Sequence, residues 1–497
     1  MKIKKILVAN RGEIALRIMR SCREMGIATA AVYSYVDRSS PFVLFADEAY
    51  ALGGVTSQES YLRGDIILDI ARKCGADAIH PGYGFLSENA DFAEKVLNNG
   101  LIFIGPPVES IRLMGNKTAA RKKMITENVP VVPGTEEAVK NAAEAKIIAA
   151  EIGYPILIKA AAGGGGKGMR LVKKEDEFEE ALQAAIREAK AAFNDESVYL
   201  EKFVEEPHHI EFQILADGYG NIIHLGERDC SIQRRHQKVV EESPSVLLDD
   251  ELRRKMGQAA VNAAKACNYV NAGTVEFLVD KDRHFYFLEM NTRLQVEHPV
   301  TELVSGMDLV REQILIAYGK KLNRKENLKK FWGHAIECRI YAEDFHNNFA
   351  PSPGKITFLR PADGPGIRED SGVAQGNEIS LFYDPMISKL IAWGLDREQA
   401  VNRMLRALQE YEICGIQSNI PFLIRVMENE KFRNGEYNTG FIDEQIIQLQ
   451  KENNKLLLPA VIGAALSDEN KQRVNSSKGK VNNVSMWKII KRKKMLR

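Results

Sequence analysis

A multidomain chain of mixed α/β and α+β class, opening on a parallel sheet, follows from three observations. The first is length: 497 residues exceed what one hydrophobic core supports. The second is the opening, "KKILVANRGEIALRIMRSCREMGIATAAVYS", which reads strand, glycine turn, helix, strand. The third is a change of grammar further on. "PILIKAAAGGGGKGMRLV" is strand, glycine loop, strand, which makes a hairpin and not a strand–helix junction.

Each element has its own signal. Ile6 to Ala9 is a short apolar run; Ile14, Ile18 and Met19 recur at helical spacing, Gly26 ends the helix, and Ala28 to Tyr33 is the next strand. "DIILDIARKCGADAIHPGYGFLSEN" repeats this logic, and "GLIFIGPP" adds a buried strand, closing a first domain at residues 1–114. A second domain spans 115–333. Its strands are "SVYLEKFVEEPHHIEFQILAD" and "IIHLGERDCSIQRRHQKVVEESPS"; a helix near Asp250–Cys267 follows, then a hairpin of "AGTVEFLVD" with "HFYFLEMN". Residues 322–333 read as a polar linker, 334–447 as a third domain, and 448–497 as a polar extension with a basic end.

Composition narrows the function classes. A net charge of +1 provides no global field for nucleic acid or acidic membrane. The six cysteines form no CxxC, which argues against a disulfide framework or zinc site and for a reduced, cytoplasmic setting. "MKIKKILVANRG" turns polar too soon for a signal peptide, and "LLLPAVIGAAL" is too short to span a bilayer.

Four constellations are candidates for chemistry. Gly163, Gly164, Gly165 and Gly166, followed by Lys167, form a loop whose backbone N–H groups can approach phosphate oxygens. It is neither a P-loop nor a Rossmann fingerprint, since no Ser or Thr follows the lysine and a strand follows the loop. Glu276 and Glu289, on strands joined by "DKDRH", converge with Asn291 into an all-oxygen set suited to Mg²⁺ or Mn²⁺. Arg293, Gln295 and Glu297 continue the alternation of "LEMNTRLQVEH" on the polar face of an extended chain. There an arginine suits a planar oxyanion and a carboxylate can take its proton. Gln233, Arg234, Arg235, His236 and Lys238 form a basic segment read as extended; the adjacent Cys230 lacks a Cys–His–Asp arrangement.

Taken together, "ILVANRGEIALRI", "HPGYGFLSEN", "MGNKTAARK", "AAGGGGKGM", "RDCSIQRRHQKVVEESPS", "EMNTRLQVEHPVTE", "HAIECRIYAED" and "YDPMISKLIAWG" resemble the biotin carboxylase family of the ATP-grasp superfamily over residues 1–447. The resemblance implies a Rossmann-like N-terminal domain, an ATP-grasp domain with a mobile lid subdomain at about 131–204, and a C-terminal biotin-carboxylase domain. It implies that ATP phosphorylates bicarbonate to carboxyphosphate, which then carboxylates biotin presented in trans. It assigns Lys117, Lys159, Glu201, Lys202, Val204, His209, Gln233, His236 and the glycine loop to ATP. Glu276, Glu289 and Asn291 go to metal, with two Mg²⁺ or Mn²⁺ sites, and Lys238, Arg293, Gln295 and Val296 to bicarbonate. Glu297 is the implied base, Arg339 the residue stabilising the biotin enolate, and Tyr83 part of the biotin pocket. Implied partners are a biotin carboxyl carrier protein, a second copy of the chain and a carboxyltransferase subunit. Phe42, Phe45 and Pro365 depart from the family pattern, the last at the subunit contact. No Ala-Met-Lys-Met biotinylation sequence is present, so the chain is expected to carry no biotin of its own. A carbamoyl phosphate synthase shares much of the architecture, but "HPGYGFLSEN" and "ECRIYAED" favour the biotin enzyme. The acceptor is read as that of acetyl-CoA carboxylase, with a split pyruvate or acyl-CoA carboxylase as the alternative.

Overall fold

The computed structural model describes residues 3–135, 139, 142–160, 169–193, 197–324 and 326–450. The expected glycine loop, Gly163–Gly166, and residues 451–497 lie outside them. The chain divides into two units, Met1–Gln445 and Ile446–Arg497, and all described candidate residues lie in the first.

The opening forms the expected parallel sheet, in the order Glu48–Ala51, Ala28–Tyr33, Lys5–Val8, Ala78–His80, Ile102–Phe103. Helix Gly12–Glu24 buries Ile14, Ile18 and Met19 against it. The strand order reverses beside Lys5–Val8, and ligand crevices in such sheets lie at the carboxyl ends of the strands at that point. Those ends here carry Glu13, in the first turn of the helix, and the loop holding Tyr83. Asn10 ties this loop down by donating to the carbonyls of Pro81 at 2.6 Å and Tyr83 at 2.7 Å. Gly82, with φ +64°, leaves room for it: a Cβ there would sit 2.8 Å from the Asn10 amide nitrogen.

An eight-stranded antiparallel sheet dominates the rest. Its order is Phe285–Asn291, Asn271–Val279, His208–Ala216, Ile222–Arg234, Gln237–Ser243, His334–Tyr341, Met386–Gly394, Ile367–Ser371. It runs unbroken across residues 333 and 334, so strands on both sides of that expected boundary share one face. Helix Asp250–Ala266, capped by Asp249 accepting from the Leu252 amide at 2.8 Å, packs Met256, Ala260 and Ala264 into a common core with Phe212, Val275 and Phe277. A separate three-stranded sheet, Met169–Val172, Ile156–Ala160 and Val198–Lys202, packs on helices Ala142–Ile152 and Phe178–Phe193 around Ile158, Leu182, Ala185 and Leu200. Strands Ile156–Ala160 and Met169–Val172 pair antiparallel, with Lys159 opposite Met169.

Four local readings are corrected. The strand carrying Glu289 stops at Asn291, and Arg293 to Glu297 lie in a turn that feeds helix His298–Ser305. Leu288 is the extra residue of a bulge, since Glu276 opposes Glu289 while Phe277 opposes Phe287; it points out, 42% exposed, and does not join an apolar face. His236 is not in an extended segment: Arg235 (φ +51°) and His236 (φ +64°) form a two-residue hairpin turn between Arg234 and Gln237. The polar stretch 322–333 is no free linker. Leu322 and Leu328 are buried, and Asn327 accepts from the His224 amide at 3.0 Å. Of the departures, Phe42 fills the core behind helix Gly12–Glu24, Phe45 lies 3.7 Å beneath the Arg23 guanidinium, and Pro365 is exposed.

Candidate active site

Strand register builds a row of charge across four strands. Arg228 stands opposite Glu211, Glu211 opposite Glu276, and Glu276 opposite Glu289. Carboxylates directly opposed on a sheet repel, and cations from neighbouring elements are set between these. Lys238 Nζ lies 2.6 Å from Glu211, 3.0 Å from Glu276 and 2.6 Å from Glu297. Arg228, fully buried, reaches Glu211 at 2.5 Å and Gln295 at 2.7 Å. His209 Nε2 lies 3.0 Å from Glu276.

The carboxyl groups respond accordingly. Burial opposes ionisation of Glu276, but Lys238 and His209 outweigh it and hold the group well below the usual range. Glu289 is pushed up, first by burial and then by the facing charge of Glu276. Burial also opposes the Lys238 charge, and Glu211, Glu276 and Glu297 overcome it, raising the ammonium well above its ordinary value.

Glu276, Glu289 and Asn291 supply hard oxygen donors at one sheet edge, and the closest cation to the Glu289 carboxylate among the described residues is Lys117, 3.7 Å away. A divalent cation fits there chemically, because it would offset both the burial and the facing charge of Glu276 that raise Glu289. His209, Glu211 and Glu276 also bring one ligand atom each within 4.8 Å of the others, but the Lys238 ammonium already stands among them.

The turn after Asn291 places four more groups. Arg293 donates to Glu88 at 2.8 Å and to Asn291 at 3.0 Å. Gln295 bridges Arg228 and Glu276, donating to Glu276 at 2.7 Å. The carbonyl of Val296 accepts from the buried Lys389 at 2.8 Å. Glu297 sits at the start of helix His298–Ser305, where the helix dipole favours negative charge. It accepts from Lys238 at 2.6 Å and Arg339 at 2.9 Å. Burial opposes its ionisation; Lys238, Arg339 and Arg228 outweigh that and hold it far below the carboxylate range.

Arg339, on strand His334–Tyr341, donates its Nε edge to Glu241 at 2.6 Å. Tyr83 hydrogen-bonds Glu13, whose other oxygen lies 3.2 Å from Lys389. Burial pushes Glu13 up to about 7, against the pull of Lys389. Tyr83 therefore joins the turn through Glu13, Lys389 and the Val296 carbonyl.

Of the remaining described candidates only Gln233 touches this cluster, through His209. Lys159 pairs with Glu201 on the small sheet, and Arg121 lies 3.8 Å from the same carboxylate. The Lys202 ammonium is committed to the carbonyls of Gly153 and Tyr154, at 2.9 and 3.0 Å. Val204 is partly buried in the loop beyond. Gln233 donates to the Cys230 carbonyl at 2.8 Å and lies 3.0 Å from His209 Nδ1, while His236 projects from its turn. Sequence reasoning missed Glu88, Glu211, Arg228, Glu241 and Lys389. The alternation His209, Glu211, Gln213 on an otherwise apolar strand was the available signal for the second of these.

Comparison with known proteins identifies the family. Three family models match: "Biotin carboxylase, N-terminal domain" over residues 2–111, "Carbamoyl-phosphate synthase L chain, ATP binding domain" over 116–325, and "Biotin carboxylase C-terminal domain" over 337–444. The chain is 56% identical over 444 residues to the biotin carboxylase of a Nostoc species, covering 89% of this chain and 99% of that one. It is 54% identical over 453 residues to a pyruvate carboxylase subunit of Methanothermobacter thermautotrophicus, covering 91% and 92%. Among solved structures, the biotin carboxylase domain dimer of Hydrogenobacter thermophilus 2-oxoglutarate carboxylase, in complex with MgADP, ADP and bicarbonate, aligns with a TM-score of 0.84. It is 48% identical, over 91% of this chain and all of that one. The shared ATP-binding module alone would leave a carbamoyl phosphate synthase open, but the modules on both sides of it do not, and the chain belongs to the biotin carboxylase family of ATP-dependent ligases.

Proposed function

We propose that the chain performs the ATP- and bicarbonate-dependent carboxylation of biotin on a separate carrier protein through carboxyphosphate, as the first half-reaction of acetyl-CoA carboxylase. The observation that carries the reading is Glu297, held between Lys238 at 2.6 Å and Arg339 at 2.9 Å one residue after a carbonyl pinned by Lys389. In this reading Lys238, Arg293, Gln295 and the Val296 backbone hold bicarbonate. Glu297 takes its proton at a carboxylate oxygen. Arg339 turns its Nη2 edge to the biotin ureido oxygen as charge develops there, and Tyr83 lines the pocket.

Lys117, Lys159, His209, Gln233, His236 and the backbone of Glu201, Lys202 and Val204 hold ATP, and the glycine loop covers its phosphates. The Lys202 ammonium is already engaged, which supports a backbone role for that residue. Glu276, Glu289 and Asn291 hold Mg²⁺ or Mn²⁺, which when bound neutralises phosphate charge. The partners are a carrier protein, a carboxyltransferase and a second copy of the chain, as the dimeric Hydrogenobacter structure supports. The setting is cytoplasmic; no helix among the described residues is long and apolar enough to cross a membrane. The likeness to the Methanothermobacter pyruvate carboxylase subunit supports the alternative acceptor, pyruvate, with the same half-reaction.

ATP hydrolysis by the purified chain is expected to need bicarbonate and Mg²⁺ together and to rise with free biotin. Hydrolysis indifferent to bicarbonate overturns the reading. Glu289→Gln removes one of the two facing acids and is expected to raise the half-saturating Mg²⁺ by about tenfold or more. An unchanged Mg²⁺ titration removes Glu289 from the metal site.

A further inference from the structure

Strand Gln237–Ser243 pairs with strand His334–Tyr341 so that Glu241 stands directly opposite Glu337. Both side chains are fully buried. Glu241 Oε1 accepts from Arg339 Nε at 2.6 Å. Glu241 Oε2 and both carboxyl oxygens of Glu337 have no hydrogen-bond partner among the described residues. On the opposite edge of the same strand Arg339 faces Lys389. Opposed residues share a face of the sheet, with Cβ atoms roughly 5 Å apart. This face thus carries two acids opposed and two cations opposed. The cations are committed elsewhere: Lys389 to Glu13 and the Val296 carbonyl, Arg339 to Glu241 and Glu297.

Two ionised carboxylates facing each other in a buried strand pair, with no donor between them among the described residues, repel strongly and are each penalised by burial. A single proton turns the orphaned acceptors into a donor and an acceptor. It belongs on Glu337, the member with no cation in hydrogen-bond reach. Burial, and then the charge of Glu241, raise that group well above the carboxylate range against the pull of Lys389.

We propose that Glu337 is a positioning residue for the carboxylation step. As a neutral carboxylic acid it donates to Glu241 and keeps Glu241 as the anchor of the Arg339 Nε edge, so that the Nη2 edge alone moves from Glu297 to the substrate. This rests on the reading above that Arg339 meets biotin. The charged groups around Glu337 are Glu241, directly opposite on one neighbouring strand; Lys389, on the other neighbouring strand and opposite Arg339; Arg339 on its own strand; and Glu297 from the turn. A carboxylic acid in this position ionises as pH rises. The added charge then competes with Glu241 and Glu297 for Arg339, and carboxylation falls on the alkaline side.

The test compares wild type, Glu337→Gln and Glu337→Leu for carboxylation of free biotin from neutral to alkaline pH. Leucine cannot donate, and kcat is expected to fall about tenfold with the KM for ATP unchanged. Glutamine has the same shape and a donor. It is expected to restore the rate to within about threefold and to move the alkaline fall to higher pH. A wild-type-minus-E337Q infrared difference spectrum should show the carbonyl stretch of a protonated carboxyl at a pH where exposed carboxylates are ionised. E337Q as slow as E337L, coincident alkaline limbs, or no such band each overturn the proposal. If E337L does not fold, the pH limb of E337Q and the infrared band decide alone. A wild-type chain that carboxylates no biotin overturns both this proposal and the reading beneath it; an active wild type with an unaltered E337Q limb overturns this proposal only.

Discussion

Glu297→Gln is expected to leave ATP binding in place and to lower the bicarbonate-dependent rate by about 10² to 10⁴, the range for losing a general base. The geometry explains why the effect should be large and confined to chemistry. Among the described residues Glu297 pairs with neither Lys117 nor a residue of the small sheet; with the Cys230 thiol 3.9 Å away, it accepts from Lys238 and Arg339. Those partners hold its carboxyl far below the usual range, so at rest it is ionised but a weak base. In the proposed reading an incoming oxyanion competes for the same two cations. As they turn toward the substrate, the proton affinity of Glu297 rises, which couples substrate binding to base strength. Glutamine keeps the shape and loses both the charge and the coupling. Direct ATP titration of the variant, beside its bicarbonate-dependent hydrolysis, separates the two effects. A near-wild-type rate removes Glu297 from the role of base, and lost ATP affinity with a normal rate at saturation assigns it to nucleotide binding instead.

What was legible in the chain was local. Apolar runs and 3.6-residue spacing read out the parallel sheet and helix Gly12–Glu24, and the short connection "DKDRH" between two strand patterns brought Glu276 and Glu289 together. Where the reading failed, the pattern was real but the backbone differed. Polar residues alternate from Glu289 to Glu297, and an extended chain is the simplest source of that alternation; the turn after Asn291 keeps it while bending. Pro299, in the first turn of the next helix, was the sign that the strand had ended. The Arg235–His236 turn carries neither glycine nor asparagine, so it showed no turn signature. Lys389 in "ISKLIAWG" interrupts an apolar strand as Glu289 does, yet its partners, Glu13 and the Val296 carbonyl, come from distant segments. The same holds for Glu211 and Arg228: alternation marks their face, and only the register across four strands shows what they meet.

Lys238→Met is expected to cost stability as well as activity. The ammonium lies within 3.0 Å of Glu211, Glu276 and Glu297, all buried. Removing one partner of a buried ion cluster leaves uncompensated charge, worth about 3 to 5 kcal/mol. Arg228, His209 and Arg339 still reach one acid each, so the lower end, about 3 kcal/mol, is expected. The pH dependence has a definite sign. In the wild type Glu276 and Glu297 are depressed below their unfolded values. Their contribution is therefore present above the unfolded value of about 4.3 and is lost as pH falls toward the depressed folded values. Without Lys238 both groups take up protons more readily in the folded chain, and protonation relieves the repulsion. The gap between variant and wild type should thus be widest near neutral pH and narrow as pH falls toward about 4 to 5. Urea unfolding at the two ends of that range measures it, with bicarbonate-dependent ATP hydrolysis followed in parallel. A gap below about 1 kcal/mol, the size of an exposed pair, or one that does not narrow in acid, would show that Lys238 is not the cation that holds the three acids together.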